Sequence, residues 1–169
     1  MDLFYLDEDI VEKTSYKYIT NLIDHLSKWI CSYTLKTKTG RDFLLCLVNY
    51  TYAFWIRNKL HNDNGILLKN IHFNMFCADN NIKHNFSKSY NPKSADFIEA
   101  SHKEIKQFVK ELFYTRESDP FDQNEIWLLA INNHNNNIHS TTNYKPIELR
   151  DINDEKIIQL VQSNIYKNK

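Results

Sequence analysis

With 169 residues, 42% hydrophobic and 14% aromatic, the chain is long enough to bury one core and reads as one globular domain. Lys+Arg and Asp+Glu both number 21, so no global positive field draws the molecule onto a polyanion, and any nucleic-acid affinity has to come from a local patch. The odd, widely spaced Cys31, Cys46 and Cys77 argue against a disulfide framework or a CxxC zinc site, while the absence of a leader-like start or a long apolar run predicts an intracellular protein with no membrane partner.

In chain order, Leu3 to Leu6 is a short apolar piece followed by an acidic turn. Tyr16 to Ile23 is rich in strand formers, and Trp29 to Leu35 is its hairpin partner. Thr37 or Thr39 can cap a helix whose apolar positions Phe43, Leu44, Leu47, Val48 and Tyr52 recur at helical spacing. A short strand over Ile56 to Leu60, a helix over Ile71 to Asp79 and a strand over Ile82 to Phe86 follow. Asn91-Pro92 marks a turn, and a long helix begins after Ser94. A polar loop over Glu117 to Gln123 precedes a helix over Ile126 to Asn135. Pro146 is expected to break the chain before a polar tail, so the domain is read as residues 1–150 and the tail as 151–169. The order describes an α/β domain with a mixed sheet of about five strands flanked by helices.

Two acids stand out. Asp63 lies in His61-Asn62-Asp63-Asn64-Gly65, and Glu99 closes the run from Asn91 through Pro92, Lys93, Ser94, Ala95, Asp96, Phe97 and Ile98, with 35 residues between the two acids. Taken singly, each reads as a solvated surface carboxylate. Brought together from a strand end and a helix, such carboxylates can hold divalent ions. On the helix that carries Glu99, a turn of about 100° per residue puts Ile98, Ile105, Phe108, Val109 and Leu112 on one face and Glu99, Lys103, Lys106 and Lys110 on the other. Alone, the charged face is an ordinary solvated surface with i,i+4 pairing. His134 and His139 lack the partners of a zinc site and read as structural, and Tyr50, Tyr52, Phe54 and Trp55 read as core. With only Gly40 and Gly65 present there is no phosphate-cradling glycine loop.

These motifs fall into a larger pattern. Tyr16-Lys17-Tyr18-Ile19 with Ile23-Asp24-His25-Leu26-Ser27-Lys28-Trp29 resembles the "kYil-viDhfSkw" strand pair of integrases from retroviruses and gypsy-type retrotransposons, and of host genes derived from them. Asp63-Asn64-Gly65 is similar to that family's second catalytic acid and its Asn-Gly. Ile82-Lys83-His84 and Tyr90-Asn91-Pro92 resemble the segment before the third. Asn135 to Thr142 with Tyr144-Lys145-Pro146-Ile147-Glu148-Leu149 resembles the closing motif. The matches keep the family's order from Asp2 to Leu149.

The resemblance implies a ribonuclease-H-like fold and a D,D-35-E integrase core, a polynucleotidyl transferase that joins element DNA to target DNA. Its metal-binding catalytic acids would be Asp2, Asp63 and Glu99, holding two Mg2+ (or Mn2+) ions; Asp7 and Asp9 are the alternatives for the first acid. Asn64, Tyr90, Lys93, Lys103 and Lys106 would contact DNA, and the family works as a homo-oligomer on DNA, in the nucleus where functional. Because the family continues upstream of its first acid and adds a zinc-binding domain, the chain looks truncated. Where the family has Pro-Gln-Ser-Asn-Gly, Pro92 to Asp96 lacks the glycine and adds a charge; Leu67-Leu68 and Ala100 also depart from the pattern. Two readings follow: an active integrase core, or a catalytically impaired, domesticated or relic fold that binds nucleic acid or protein. A ribonuclease H or cut-and-paste transposase is the more distant option.

Overall fold

The computed structural model describes residues 2–5, 16–54, 59–62, 71–86, 103–109, 111 and 123–167. The chain divides into two compact units: Met1–Asn21 with Tyr33–Ala100, and Leu22–Ser32 with Ser101–Lys169. Five strands appear among the described residues, as the sequence predicts, in a three-stranded sheet and a parallel pair.

β1 (Asp2–Tyr5) runs antiparallel to β2 (Tyr18–Ile23), with Asp2 opposite Asn21 and Tyr5 opposite Tyr18. β3 (Ile30–Leu35) is the other neighbour of β2. Ile19, Thr20, Asn21 and Leu22 are all buried. A central strand covered on both faces shows such a continuous run rather than alternation. The hairpin base closes with the Lys17 N–H donating to the Leu35 carbonyl at 2.9 Å.

The first helix, α1 (Gly40–Phe54), starts where the sequence puts a cap. Thr39 Oγ1 accepts from the Asp42 N–H at 3.2 Å, and Asp42 Oδ2 accepts from the Thr39 N–H at 3.0 Å. That reciprocal pair satisfies two amides that a helix start leaves bare. Thr39 is therefore the cap, and Thr37 adds a hydroxyl bond to the same carboxylate. Burial opposes ionisation of Asp42, but the bonds from Thr37 and Thr39 outweigh it and hold the carboxyl below its ordinary range. The buried stripe is Phe43, Cys46, Leu47 and Thr51. Tyr52, expected on that stripe and in the core, is 73% exposed, because the 3.6-residue turn carries the stripe through Thr51 instead. Thr51 tolerates burial by donating its hydroxyl to the Leu47 carbonyl at 2.7 Å.

β4 (Lys59–Asn62) overlaps the expected strand at Lys59 and Leu60, residues 56–58 lying outside the described residues, and pairs in parallel with β5 (Lys83–Phe86), Leu60 facing His84 and Asn62 facing Phe86. Between them α2 (Ile71–Asp79) spans the predicted residues. It ends on Asn81 at φ 54°, with the Ile82 N–H on the Cys77 carbonyl at 2.7 Å and the Asn81 N–H on the Ala78 carbonyl at 3.1 Å. Asparagine tolerates this left-handed position, and the paired bonds form a Schellman stop that turns the chain into β5. Cys46 and Cys77 are buried thiols, and Cys31 is half-buried.

In the second unit, the hairpin tip is a tight turn. The Asp24 N–H donates to the Trp29 carbonyl, the Lys28 N–H to the Asp24 carbonyl, and Asp24 Oδ2 accepts from both the Ser27 N–H and the Ser27 hydroxyl. Lys28 takes φ 64°, the left-handed residue that lets such a turn rejoin its strands. The described helices are α3 (residues 103–109), α4 (Gln123–Asn136), α5 (Pro146–Arg150) and α6 (Glu155–Lys167). Ile105 on α3 is buried and Lys103 and Lys106 are exposed, which matches the two faces read from the sequence for the described part of that helix.

Two helices follow Tyr144: α5 at Pro146 and, within the span read as a polar tail, α6. Proline at the first helical position opens α5 without losing a hydrogen bond. Asp154 then caps α6 by accepting from the Lys156 N–H at 2.9 Å. Val161 and Ile165 bury against Leu149, Leu26, Tyr144, Ile152 and Ile157.

Candidate active site

Of the three acids singled out by the sequence, only Asp2 is described, and only as a backbone position on β1. Asp63, Glu99, Asn64, Tyr90 and Lys93 lie outside the described residues, as do Asp7, Asp9 and Asp96. Asp63 follows directly in the chain on Asn62, the last residue of β4. Among the described residues, Asp2 lies in the first unit, and Lys103 and Lys106 lie in the second.

The strand that carries Asp2 is tethered at its far end. Tyr5 stacks edge-on against its cross-strand partner Tyr18, ring centroids 5.2 Å apart, and its hydroxyl accepts from Lys38 Nζ at 2.6 Å. That bond raises the Lys38 pKa. Cross-strand aromatic pairs stabilise a short pairing such as β1–β2.

The strand end that leads to Asp63 has a polar framework that reading the sequence missed. The Asn62 side chain is 1% exposed, and its Nδ2 lies 3.0 Å from His84 Nε2. His84 Nδ1 lies 3.3 Å from Asn74 Oδ1. Because Asn74 Oδ1 can only accept, Nδ1 carries the imidazole proton and Nε2 accepts from Asn62. The ring is flanked by Phe73 at 5.0 Å and Phe86 at 4.3 Å. Burial, with a smaller contribution from His61, pushes the His84 pKa down, in keeping with a neutral ring. A polar residue at an inward position of a short strand, β4 reading exposed-buried-exposed-buried, was the available signal.

Asn62 Oδ1 is buried and has no hydrogen-bond partner among the described residues. Leaving a buried acceptor unmet costs about 1–3 kcal/mol. Mg2+ dehydrates reluctantly and keeps several waters, so an unspent acceptor one residue from a carboxylate fits the hard-oxygen surroundings of a hydrated divalent ion. Among the described residues there is no cluster of three His, Cys, Asp or Glu side chains able to hold a metal.

His134 and His139, both in the second unit, pack into its interior. His134 is 5% exposed and its Nε2 donates to the Lys28 carbonyl at 3.1 Å, while its Nδ1 faces Glu104 at 3.8 Å. Asn135 bonds both backbone groups of Ile30, Oδ1 accepting from the N–H at 2.9 Å and Nδ2 donating to the carbonyl at 2.8 Å. His139 packs edge-on to His134 with centroids 5.8 Å apart. Burial, then His134 and Lys28, push its pKa down to about 4.

Known proteins share this fold. The Pro-Pol polyprotein of Feline foamy virus is 25% identical over 134 residues, covering 78% of this chain but 12% of the polyprotein, so the chain spans about an eighth of that relative. Among solved structures, the simian T-cell lymphotropic virus intasome in complex with PP2A regulatory subunit B56 gamma superposes at TM-score 0.75 with 17% identity, over 91% of this chain and 54% of that one. The HTLV-2 integrase catalytic core domain in complex with magnesium gives 0.70 at 15% identity, over 88% and 92%. The catalytic core domain of BIV integrase gives 0.69 at 17%, over 100% and 96%. These likenesses establish the fold, which is the ribonuclease-H-like fold of integrase catalytic cores. The sequence itself matches the integrase core domain over residues 1–92, from the start of the chain through β5. The chain belongs to the integrase core domain family.

Proposed function

We propose that this chain is the catalytic core of an integrase, a polynucleotidyl transferase that joins an element's DNA end to target DNA. The observation that carries the reading is the family match over residues 1–92, which takes in Asp2 on β1 and Asp63 immediately after β4. Glu99 lies beyond the match and is supported by its spacing and flanking residues. Asp2, Asp63 and Glu99 would hold two Mg2+ or Mn2+ ions, which supply Lewis-acid activation of the attacking oxygen and charge neutralisation at the phosphate. The named HTLV-2 relative binds magnesium, and this supports the choice of ion.

The rest of the work falls to the chain's own side chains. Lys103 and Lys106 stand exposed on α3 and offer ammonium groups to a phosphate backbone, the local patch that a chain of zero net charge needs. Asn64, Tyr90 and Lys93 complete the expected DNA contacts. Relatives solved as an intasome and in trimeric and dimeric forms support a homo-oligomer on DNA, and such a role belongs in the nucleus.

The test is a strand-transfer and disintegration assay on branched oligonucleotides in Mg2+ or Mn2+. Asp2→Asn, Asp63→Asn and Glu99→Gln should each abolish the product, and activity indifferent to the Asp63 and Glu99 changes sinks the reading. The loop sequence Ala95-Asp96, with a charge three residues before Glu99, favours a second reading: an impaired fold that binds nucleic acid or protein without cutting. Under it, wild type is inactive, yet DNA binding persists and falls when Lys103 and Lys106 are replaced.

A further inference from the structure

We propose that His84 is a positioning residue for the acid at 63: held between two phenylalanines and tied to α2, it grips Asn62 and so fixes the end of β4. The proposal rests on the reading of Asp63 as a metal-holding acid. The chain of contacts is continuous. Asn74 on α2 accepts from His84 Nδ1 at 3.3 Å, and His84 Nε2 on β5 accepts from Asn62 Nδ2 at 3.0 Å; the next residue in the chain is Asp63.

Each link restricts the next. Phe73 and Phe86, with ring centroids 5.0 Å and 4.3 Å from the imidazole, hold it against rotation. Holding the ring fixes which nitrogen faces Asn62, and a buried amide bound by its nitrogen cannot flip without losing that bond. Asn62 is the last described residue of β4, paired with Phe86 of β5. The side-chain bond adds a second restraint, beside strand pairing, on the residue that precedes the acid. It also turns Oδ1, which has no hydrogen-bond partner among the described residues, away from His84. Groups one step behind the ligands tune metal sites in this way, by fixing the carboxylates rather than by touching the ion.

The experiment uses the whole chain with two independent readouts: amide exchange of residues 60–64 without metal, and Mn2+ affinity from the free-ion EPR signal. His84→Phe keeps the stacking and deletes both hydrogen bonds; His84→Gln restores an acceptor for Asn62. Asn74→Leu, at an exposed position, removes only the outer tether and guards against a folding failure of the first variant. The proposal expects faster exchange confined to the β4 end and Mn2+ affinity weaker by about 10- to 100-fold in His84→Phe, with recovery in His84→Gln and an intermediate effect in Asn74→Leu. Unchanged exchange at Asn62 and Asp63 in both His84→Phe and Asn74→Leu overturns it, whatever the metal result. Mn2+ binding that is indifferent to Asp63→Asn instead overturns the functional reading, and the exchange data still decide the role of His84.

Discussion

Replacing Asn135 with alanine takes away both hydrogen-bond partners of Ile30, whose amide and carbonyl receive side-chain bonds of 2.9 Å and 2.8 Å from a residue 105 positions away. Ile30 is fully buried and Asn135 is 6% exposed, so neither backbone group has ready access to water. A buried polar group left unmet costs about 1–3 kcal/mol, and two of them at mid-range give about 3–4 kcal/mol. For a chain of this size that is a fall of about 10 °C in Tm. Asn135→Asp is expected to lose at least as much, since its carboxylate accepts from the amide but turns a second acceptor toward the Ile30 carbonyl. Asn136 is the control: its Nδ2 donates to the Asn132 carbonyl at 2.8 Å on an exposed face, and its alanine variant should stay within about 0.5 kcal/mol of wild type. Urea denaturation followed by far-UV circular dichroism measures all three. An Asn135→Ala variant within about 1 kcal/mol of wild type would refute the reasoning, because the penalty for two stranded groups would then be absent.

Three further outcomes are expected. Thr39→Ala, which removes the cap of α1, should cost about 1 kcal/mol in urea denaturation, with the loss of helix confined to that element. His139, whose folded pKa lies at about 4 against an ordinary 6.5, binds its proton less readily when folded. Its contribution to stability is therefore present above about 6.5 and is lost as pH falls toward 4, and a denaturation series across that window should be flatter in His139→Gln. Val161, fully buried on α6, should cost about 2 kcal/mol as Val161→Ala, and a chain shortened to residues 1–150 should melt lower still; equal melting would remove α6 from the core.

Much of the layout was open to a reader of the sequence because its signals are local. The Thr39–Asp42 capping pair lies three residues apart, α2 ends at an asparagine suited to a left-handed stop, and the strand formers of β2 and β3 stand on either side of a six-residue turn. The motif order from Asp2 to Leu149 likewise needs only the chain, which is why the family could be read before any coordinate was in hand. Reading residues 151–169 only as a polar tail passed over a local signal: the cap at Asp154 and the apolar spacing of Ile157, Val161 and Ile165 were there to be read.

What the sequence by itself determined is the family, the strand and helix order, and the candidate acids at 2, 63 and 99. Only the tertiary structure decided which polar residues the fold buries. Asn132, Asn133, Asn135, Asn136 and Asn137 look alike in a run, yet Asn135 alone braces Ile30. Asn62 and His84 gain a role because a parallel pairing brings residues 22 apart within 3.0 Å. The reason is physical: periodicity and capping act over a single turn of chain, whereas the cost of burying an amide or an imidazole is set by partners that distant segments supply.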